Sequence, residues 1–429
     1  MKALVILVRG LHLGYLGCYG NAWIDTPTLD RLAAEGVVFD QHYATCPDAD
    51  GARRTWRAGH YDFGVSAADA SSPPCSNDLI GLLRAGGGRT CLVVDDSRST
   101  STGFAADWDR VRIVSPTAAQ ATPLEPTLEA ARGALDHVAG YDQWLLWVDL
   151  ATPLPPWDVP DKHVDPYFQT AVEEVDDEGA NEVEAASLEP LPNPTIGLLE
   201  PPEETTFLRL QRSYGAAVTY LDAGLGLFLD ELGDAGLADE MLIIVTTDHG
   251  QALGEHGIFG PHRPWLHDEL IHLPLLMRLP HGKEAGRRVA ALTQPVDLFP
   301  TVLDAFGLQS PHSHDYSLLP LIDGSAEKVR AYACSSLRLG ERIEWALRTP
   351  DWGFILPVAA PPDDPPRLPQ LYVKPEDRWE VNNVLQHHLE LAEHLERTLR
   401  SFALATRQPG PLRPPELGSP NSNPGEKSS

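Results

Sequence analysis

The sequence predicts a doubly wound α/β domain with a mostly parallel sheet. Short apolar segments of strand length alternate with segments of helical periodicity, as expected where crossover helices connect parallel strands. The apolar segment at 241–247, Met-Leu-Ile-Ile-Val-Thr-Thr, does not alternate between apolar and polar residues, which is typical of a strand covered on both faces. The 42% hydrophobic content of the 429 residues allows a core large enough for such a domain and a smaller one.

The α/β domain is predicted to span residues 1–310. Its predicted strands lie at 3–8, 90–94, 144–150 and 241–247, and its predicted helices at 27–36, 126–139, 205–233 and 297–307, the last ending at Gly307 as a C-cap. An acidic insertion at about 173–204 interrupts the pattern. It has little apolar periodicity, so we expect a mobile surface loop there.

A small α+β subdomain is predicted for residues 311–405. Its short strands are expected at 332–336, 345–348 and 353–356, followed by an amphipathic helix at about 384–404. The remaining residues, 406–429, are rich in Pro, Gly, Ser and Asn. A segment of that composition is expected to be a disordered tail.

The charge balance bears on the kind of partner. There are 61 acidic and 33 basic residues, so the net charge is −28, which repels phosphate backbones and anionic lipids. Residues 1–8 are interpreted as a buried strand, and no apolar run approaches the ~20 residues of a spanning helix. The five cysteines, at 18, 46, 75, 91 and 334, lack metal-type spacing and are interpreted as reduced thiols. We therefore expect a cytoplasmic protein with no nucleic-acid or membrane partner.

Seven sequence blocks occur in a fixed order. They are Tyr15–Asn21, Thr26–Gly36, Tyr43–Tyr61, Tyr214–Asp222 with Gly224, Thr246–Gly257, Leu273–Arg278 and Val296–Thr301. In their order and spacing the chain resembles the sulfatase family of the alkaline-phosphatase superfamily, from Leu4 to about Leu399. The resemblance implies the α/β fold of that superfamily and an ancestor that hydrolysed sulfate esters.

The block from Tyr43 to Tyr61 lies where sulfatases carry their nucleophile. The family element is Cys/Ser-x-Pro-x-Arg, in which the Cys or Ser becomes a formylglycine. The neighbouring blocks fix the register and place Ala49-Asp50-Gly51-Ala52-Arg53 over that element. Ala49 then occupies the nucleophile position, and only Arg53 of the defining residues is kept. A methyl group cannot act as a nucleophile.

The metal ligands implied by the resemblance are also mostly replaced. Sulfatases hold a divalent ion, usually calcium, with two adjacent Asp after the first strand, and this chain has Arg9 and Gly10 there. The other half of the ion site corresponds to Asp248 and His249, which are present. Calcium takes ~6 to 8 oxygen ligands, so we expect no bound metal and no other cofactor. We predict that the Arg9 guanidinium takes the place of the ion and pairs with Asp248; the alternative is an Arg9 that points to solvent.

Other family positions have changed too. Asp95 and Ser97 stand where sulfatases place a Lys and a His, and Leu154 stands where they have a sulfate-binding His. The family Lys after the metal-binding loop has no counterpart in 260–264. Loss of a covalent nucleophile alone costs on the order of 10⁶ in turnover in a serine protease. We therefore predict a protein without sulfuric ester hydrolase activity, retained to bind a partner protein or a small anion.

Two further interpretations concern charge. Arg9, Arg53 and Arg54 are candidates for anion binding in an otherwise acidic protein. Asp48 and Asp50 could instead build a new metal site with Asp248, which would make the chain an unconventional sulfate or phosphate ester hydrolase or transferase that uses calcium. Their structural alternative is helix N-capping or simple exposure to solvent.

Several other residues have functional and structural alternatives. His249 could shuttle a proton, although a structural role is favoured without a nucleophile. Trp56 and Arg57 could plug the former pocket or cap the surface. Four histidines lie in one loop region, and their spacing matches no strong zinc signature, so a chance cluster is favoured over a zinc site. They are His256, His262, His267 and His272.

Overall fold

The computed structural model describes residues 1–63, 77–95, 103–115, 123–169, 188–198, 204–260, 264–311, 316–408 and 412–417. The strands in these ranges are β1 Lys2–Val8, β2 Val37–Tyr43, β3 Arg89–Val94, β4 Arg110–Ile113, β5 Trp144–Leu150, β6 Gly197–Leu198, β7 Met241–Thr246, β8 Ile258–Phe259, β9 His272–Leu273, β10 Leu275–Arg278, β11 Arg287–Thr293, β12 Ala333–Leu339, β13 Arg342–Arg348, β14 Trp352–Ala359 and β15 Gln370–Val373. The helices are α1 Pro27–Ala34, α2 Ala49–Ala58, α3 Leu79–Ala85, α4 Leu124–Val138, α5 Asp161–Phe168, α6 Glu204–Asp234, α7 Asp268–Ile271, α8 Leu298–Ala305, α9 Leu319–Asp323 and α10 Leu389–Ala405.

A mixed, mostly parallel sheet forms the centre of the fold. Its strands follow the order β11, β2, β10, β7, β1, β5, β3, β4, and β9 pairs with β2. The five adjacent strands β7, β1, β5, β3 and β4 are parallel to one another. Strand β10 is antiparallel to both of its neighbours, β2 and β7. The predicted fold class is therefore confirmed, and so are the four strands predicted in the α/β domain.

The central strand shows why both faces of the sheet are apolar. Leu4, Ile6 and Val8 of β1 pack in one core with α1, α4 and α6. The alternate residues Ala3 to Leu7 pack in a second core with α2, α3 and α8. Because successive side chains of a strand point to opposite faces, a strand between two helical layers must be apolar throughout. The second core also contains Leu321 of α9, so the core of the main domain continues past the predicted boundary at 310.

The C-terminal region contains a small antiparallel sheet in the order β12, β13, β14, β15. Phe354 on one face of this sheet packs with Leu395 and Phe402 of α10. The opposite face, including Ile355 and Tyr372, packs against residues of the main domain. The small sheet is therefore held between α10 and the α/β domain.

Two segments differ from the prediction. Within the predicted mobile insertion, β6 pairs with β8, and Leu191 packs against the main core. Within the predicted disordered tail, Leu412 and Leu417 pack on the C-terminal core, and Tyr332 Oη donates to the Pro415 carbonyl at 2.7 Å. The expectation was wrong for residues 188–198 and 412–417, because partners distant in sequence fix them. The rest of both segments, apart from the first residues of α6 and residues 406–408, lies outside the described residues.

In the part of the chain described here, no helix combines the length and the apolar composition needed to cross a lipid bilayer.

Candidate functional site

Charged side chains gather at the carboxyl ends of four neighbouring strands. Asp248 follows β7, Arg9 follows β1, Asp149 is the penultimate residue of β5, and Asp95 follows β3. These four strands are adjacent and parallel, so their ends lie along one edge of the sheet. Ligands of open α/β sheets bind at this edge, which makes it the candidate site.

Asp248 is fully buried and held by main-chain donors. Its Oδ1 accepts from His249 N at 2.9 Å and Gly10 N at 3.4 Å. Arg9 Nε lies 3.8 Å from Asp248 Oδ2, the distance of an ion pair that is not a hydrogen bond. Burial acts to raise the pKa of Asp248, but the charges of His249, Arg53 and Arg9 outweigh burial and lower it. The carboxylate is therefore ionised.

The Arg9 side chain is directed into the site. Only 13% of its surface is exposed, so the solvent-facing alternative is not what the structure shows. The proximity of Arg9 to Asp248 follows from the pairing of β1 with β7, in which Leu7 is opposite Thr246. Strand order alone is enough to predict this neighbour relationship.

Sequence reasoning missed the second pair, Arg53 with Asp149. Arg53 Nε donates to Asp149 Oδ2 at 3.2 Å, Nη2 donates to the same oxygen, and Nη1 donates to the Ala49 carbonyl at 2.9 Å. Both side chains are almost fully buried. Burial would lower the pKa of Arg53, but Asp149 and Asp248 raise it, so the guanidinium stays charged. One signal was available in the sequence: Asp149 is the only charged residue in the otherwise apolar β5.

Ala49 begins α2, and the residues around it have a structural role. Asp48 caps the helix, with Oδ1 accepting from Asp50 N at 3.0 Å and Gly51 N at 3.1 Å. Asp50 is exposed. Among the described residues, Asp48, Asp50 and Asp248 do not bring carboxylate oxygens within 4.8 Å of one another, as ligands of one ion would have to.

Gly51 occupies the position of the family proline. A Cβ added at Gly51 would lie 2.6 Å from Cys46 Sγ. Cys46 Sγ in turn donates to Asp48 Oδ2 at 2.8 Å. The loop has therefore repacked around the missing side chain, so restoring the family motif would require Cys46 to move.

Gly10 and Leu154 depend on each other in the same way. Gly10 has φ +68°, a conformation that L-residues rarely adopt. A Cβ at this position would lie 2.4 Å from Leu154 Cδ2. Leu154 thus occupies the space into which a side chain from residue 10 would project, so the family Asp could not return at residue 10 unless Leu154 moved.

The other candidate residues have mainly structural contacts. Asp95 is buried and accepts from Ala151 N, which ties the ends of β3 and β5 together. Arg54 Nε donates to Asp62 Oδ2 at 2.9 Å. All three anion-binding candidates, Arg9, Arg53 and Arg54, therefore have carboxylate partners. Ser97 lies outside the described residues.

Trp56 and Arg57 belong to the core rather than to a pocket or the surface. Trp56 is 1% exposed and packs against Trp147 with ring centroids 5.5 Å apart. Arg57 is also buried and donates from Nε to Asp78 Oδ2 at 2.7 Å. Both alternatives from the sequence were wrong, because α2 lies against the sheet with this side facing inward.

The loop histidines separate into different environments. His249 Nδ1 is 2.6 Å from the Gly250 carbonyl, and His272 Nε2 is 2.7 Å from the Asp40 carbonyl. His256 and His267 stack with ring centroids 4.1 Å apart and share a cluster with Glu269. His262 is not among the described residues.

The fold and the position of the site define a mostly parallel α/β protein with its candidate site at the carboxyl ends of the strands. The sulfatase family model matches residues 127–308. The steryl-sulfatase of Mus musculus is 27% identical over 420 residues, which cover 76% of this chain and 65% of that protein. An N-acetylglucosamine-6-O-sulfatase of Bacteroides thetaiotaomicron is 32% identical over 122 residues, covering 28% of this chain and 22% of that protein. By this family model and these relatives, the chain is similar to the sulfatase family.

Solved structures agree on the fold. A protein crystallised with its substrate D-glucosamine-2-N,6-O-disulfate aligns with TM-score 0.72 and 20% identity, covering 93% of this chain and 96% of that one. The phosphonate monoester hydrolase of Agrobacterium radiobacter aligns with TM-score 0.72 and 20% identity, covering 95% of both chains. The chain spans 65% or less of the length of the curated relatives named above.

Proposed function

We propose that this sulfatase-family chain lacks sulfuric ester hydrolase activity and serves as a binding or scaffold protein. The observation that carries the proposal is the pair of buried contacts, Arg9 with Asp248 and Arg53 with Asp149, beneath a helix that begins with Ala49. The site has fixed cations where the family has an ion, and a methyl group where it has a nucleophile.

Electrostatics support the replacement of the ion by Arg9. Opposite charges ~4 Å apart attract by about 4 kcal/mol at an effective dielectric of 20, before the cost of desolvation. Arg9 therefore adds to His249 and Arg53 in compensating the charge of the buried Asp248 carboxylate. A divalent ion would have to displace the guanidinium and would meet too few oxygen ligands.

The contacts favour a protein partner over a small anion. Asp149 and Asp62 already neutralise Arg53 and Arg54. A small anion would compete with these carboxylates and meet the negative charge of Asp248. The net charge of −28 is also unfavourable for nucleic acid and for anionic membrane surfaces.

Turnover measurements test the loss of activity. The full chain is incubated with an aryl sulfate and a bis-aryl phosphate in the presence of calcium, magnesium, manganese or zinc, beside a formylglycine-containing sulfatase as the positive control. We expect the rate of the buffer blank with every ion, and the same rate for Asp248→Ala. Ester hydrolysis that disappears in Asp248→Ala would overturn the proposal.

A second candidate function is an unconventional sulfate or phosphate ester hydrolase or transferase. It is supported by Asp248 and His249, which remain at the family positions with the carboxylate ionised. The phosphonate monoester hydrolase among the structural neighbours adds a phosphorus-ester chemistry to this candidate. The same assay decides between the two, since the hydrolase requires ion-dependent turnover that Asp248→Ala abolishes.

Thermal-shift measurements test the type of ligand. With sulfate, phosphate or sulfated sugars at millimolar concentration, a scaffold that binds a protein should show no rise in Tm beyond that given by chloride at equal ionic strength. A specific rise that is lost in Arg9→Gln would support the small-anion ligand instead.

We also propose a cytoplasmic location. The described cysteines, at 18, 46, 91 and 334, are all free thiols, the state that a reducing compartment maintains. Cell fractionation of the expressed chain tests this, and recovery in an exported fraction would contradict it.

A further inference from the structure

We propose that His256, His267 and Glu269 form a binding site for a divalent transition-metal ion such as zinc, separate from the ion position of the family. The three residues lie in the segment around β8 and α7, and the two histidines contact Glu380 from the C-terminal region. Each offers one ligand atom, and these atoms lie within 4.8 Å of one another. The proposal holds whether or not the chain hydrolyses esters.

The ligand types are those that zinc prefers. Two imidazoles and one carboxylate form a common zinc-binding set and leave a fourth position for water or another ligand. Zinc lies about 2.1 Å from each such atom, which puts tetrahedral ligand atoms roughly 3.4 Å apart. His256 Nδ1 and Glu269 Oε1 are 2.9 Å apart, and the widest separation in the cluster is within 4.8 Å. Small side-chain movements would therefore bring the three ligand atoms to the separations that a tetrahedral zinc ion requires.

Glu380 orients both imidazoles by contacting one ring nitrogen of each. Its Oε2 lies 2.7 Å from His267 Nδ1, and its carbonyl oxygen lies 3.3 Å from His256 Nε2. Histidines that bind metals usually donate their other ring N–H to a carboxylate or a main-chain carbonyl. An ion would replace the proton that joins His256 Nδ1 to Glu269 Oε1, and with the other ring protons on the Glu380 side its ligand atoms would be His267 Nε2 and His256 Nδ1. A chance cluster of histidines would not be expected to receive both orienting contacts from one residue.

His267 has a nitrogen that the protein does not use. The residue is 1% exposed, and its Nε2 is buried without a hydrogen-bond partner among the described residues. A buried polar atom of this kind is costly unless something binds it. Trp265 Nε1 donates to Glu269 Oε1 at 2.7 Å and so holds the carboxylate beside the imidazoles. The His256 side chain is 18% exposed, which gives an ion a route from solvent.

The test uses the full chain after treatment with EDTA and desalting. Equilibrium dialysis should show one zinc ion bound per chain at micromolar concentration. Cobalt should bind with the intense visible absorption of a four- or five-coordinate site. His256→Gln and His267→Gln should each weaken zinc binding by ~10-fold or more. Changing a residue that only hydrogen-bonds to a metal ligand already costs about 10-fold to 100-fold in metal affinity. Circular dichroism of the metal-free variants shows that they are folded.

Two matched controls locate the ion. His272→Gln changes a half-buried histidine of the same region that contacts the Asp40 carbonyl and should leave binding unchanged. Asp248→Asn changes the ion position of the family and should also leave it unchanged. If both histidine variants are unfolded, ¹⁵N-histidine spectra of the wild type provide the answer, because zinc should shift the ring signals of two histidines. Absence of binding, loss of binding in Asp248→Asn, or full binding in both folded histidine variants would overturn the proposal.

Discussion

Arg53 and Asp149 form a buried ion pair in which two guanidinium nitrogens donate to a single carboxylate oxygen. Asp149 comes from the centre of the sheet and Arg53 from the first turns of α2, so the pair fixes the helix over the strand ends. Its role in this chain is therefore to hold α2 in place over the strand ends.

Removing Arg53 should destabilise the protein strongly. Arg53→Met leaves Asp149 buried without its partner, and breaking a buried pair in this way costs about 3–5 kcal/mol. Arg53→Met with Asp149→Leu should recover much of that loss, since no charge then remains unpaired. Urea unfolding of the two single variants and the double variant measures the coupling. Strictly additive changes would show that the two side chains do not stabilise each other.

The sequence predicted the parts of the fold that depend on local pattern. The apolar runs of β1, β5 and β7 define strands covered on both faces, and strand order then brings Arg9 beside Asp248. The pairing of β6 with β8 was missed because two-residue strands carry no periodicity.

The parts of the site that were missed depend on packing. Helix α2 contains Gly51 and three arginines, and its inward face is marked mainly by Ala52 and Trp56. Because the sequence did not predict α2, it did not reveal that Asp149 is the partner of Arg53. The contacts of His256 and His267 with Glu380 could not be predicted either, since Glu380 lies more than a hundred residues away in the sequence.

His42 should make the protein sensitive to mild acid. Burial, with Arg330 and His272, lowers the pKa of His42 to about 3. The unfolded chain takes up this proton near pH 6.5, so stability is lost as the pH falls from about 6.5 towards 3. At pH 5 the titration of His42 lowers the free energy of unfolding by about 2 kcal/mol relative to neutral pH.

His42→Asn removes the titrating group while its amide can replace the 2.9 Å contact of His42 Nδ1 with Thr293 Oγ1. Urea unfolding at pH 7.5 and pH 5 should show a smaller pH effect in His42→Asn than in the wild type. His387→Asn, at an exposed position, is the control and should behave like the wild type. An unchanged pH effect in His42→Asn would contradict the prediction.

Arg348 should be needed to hold the C-terminal sheet against the main domain. It donates from Nε to Asp268 Oδ1 at 3.0 Å and from Nη2 to Glu380 Oε1 at 2.7 Å, and it is fully buried. Among the described residues, Arg348→Met leaves Lys374 as the lysine or arginine in contact with both carboxylates, so we expect a loss of about 3–5 kcal/mol.

Arg342→Met provides the matched control on the same strand, because Arg342 pairs with Asp364 at the surface. The urea midpoint should fall for Arg348→Met and stay near the wild-type value for Arg342→Met. Equal midpoints for the two variants would show that the buried network does not stabilise the interface.

Arg9→Asp should make the site respond to calcium. The change replaces the guanidinium beside Asp248 with a second carboxylate, so two like charges meet in a buried place and Tm falls without calcium. Calcium should bind the new pair with a Kd near 1 mM, as expected for a weak site, and at 10 mM should restore about 1.4 kcal/mol. Arg9→Asn removes the cation without adding a carboxylate and should recover far less. If calcium raises the Tm of the wild type as much as that of Arg9→Asp, the guanidinium does not occupy the place of the ion.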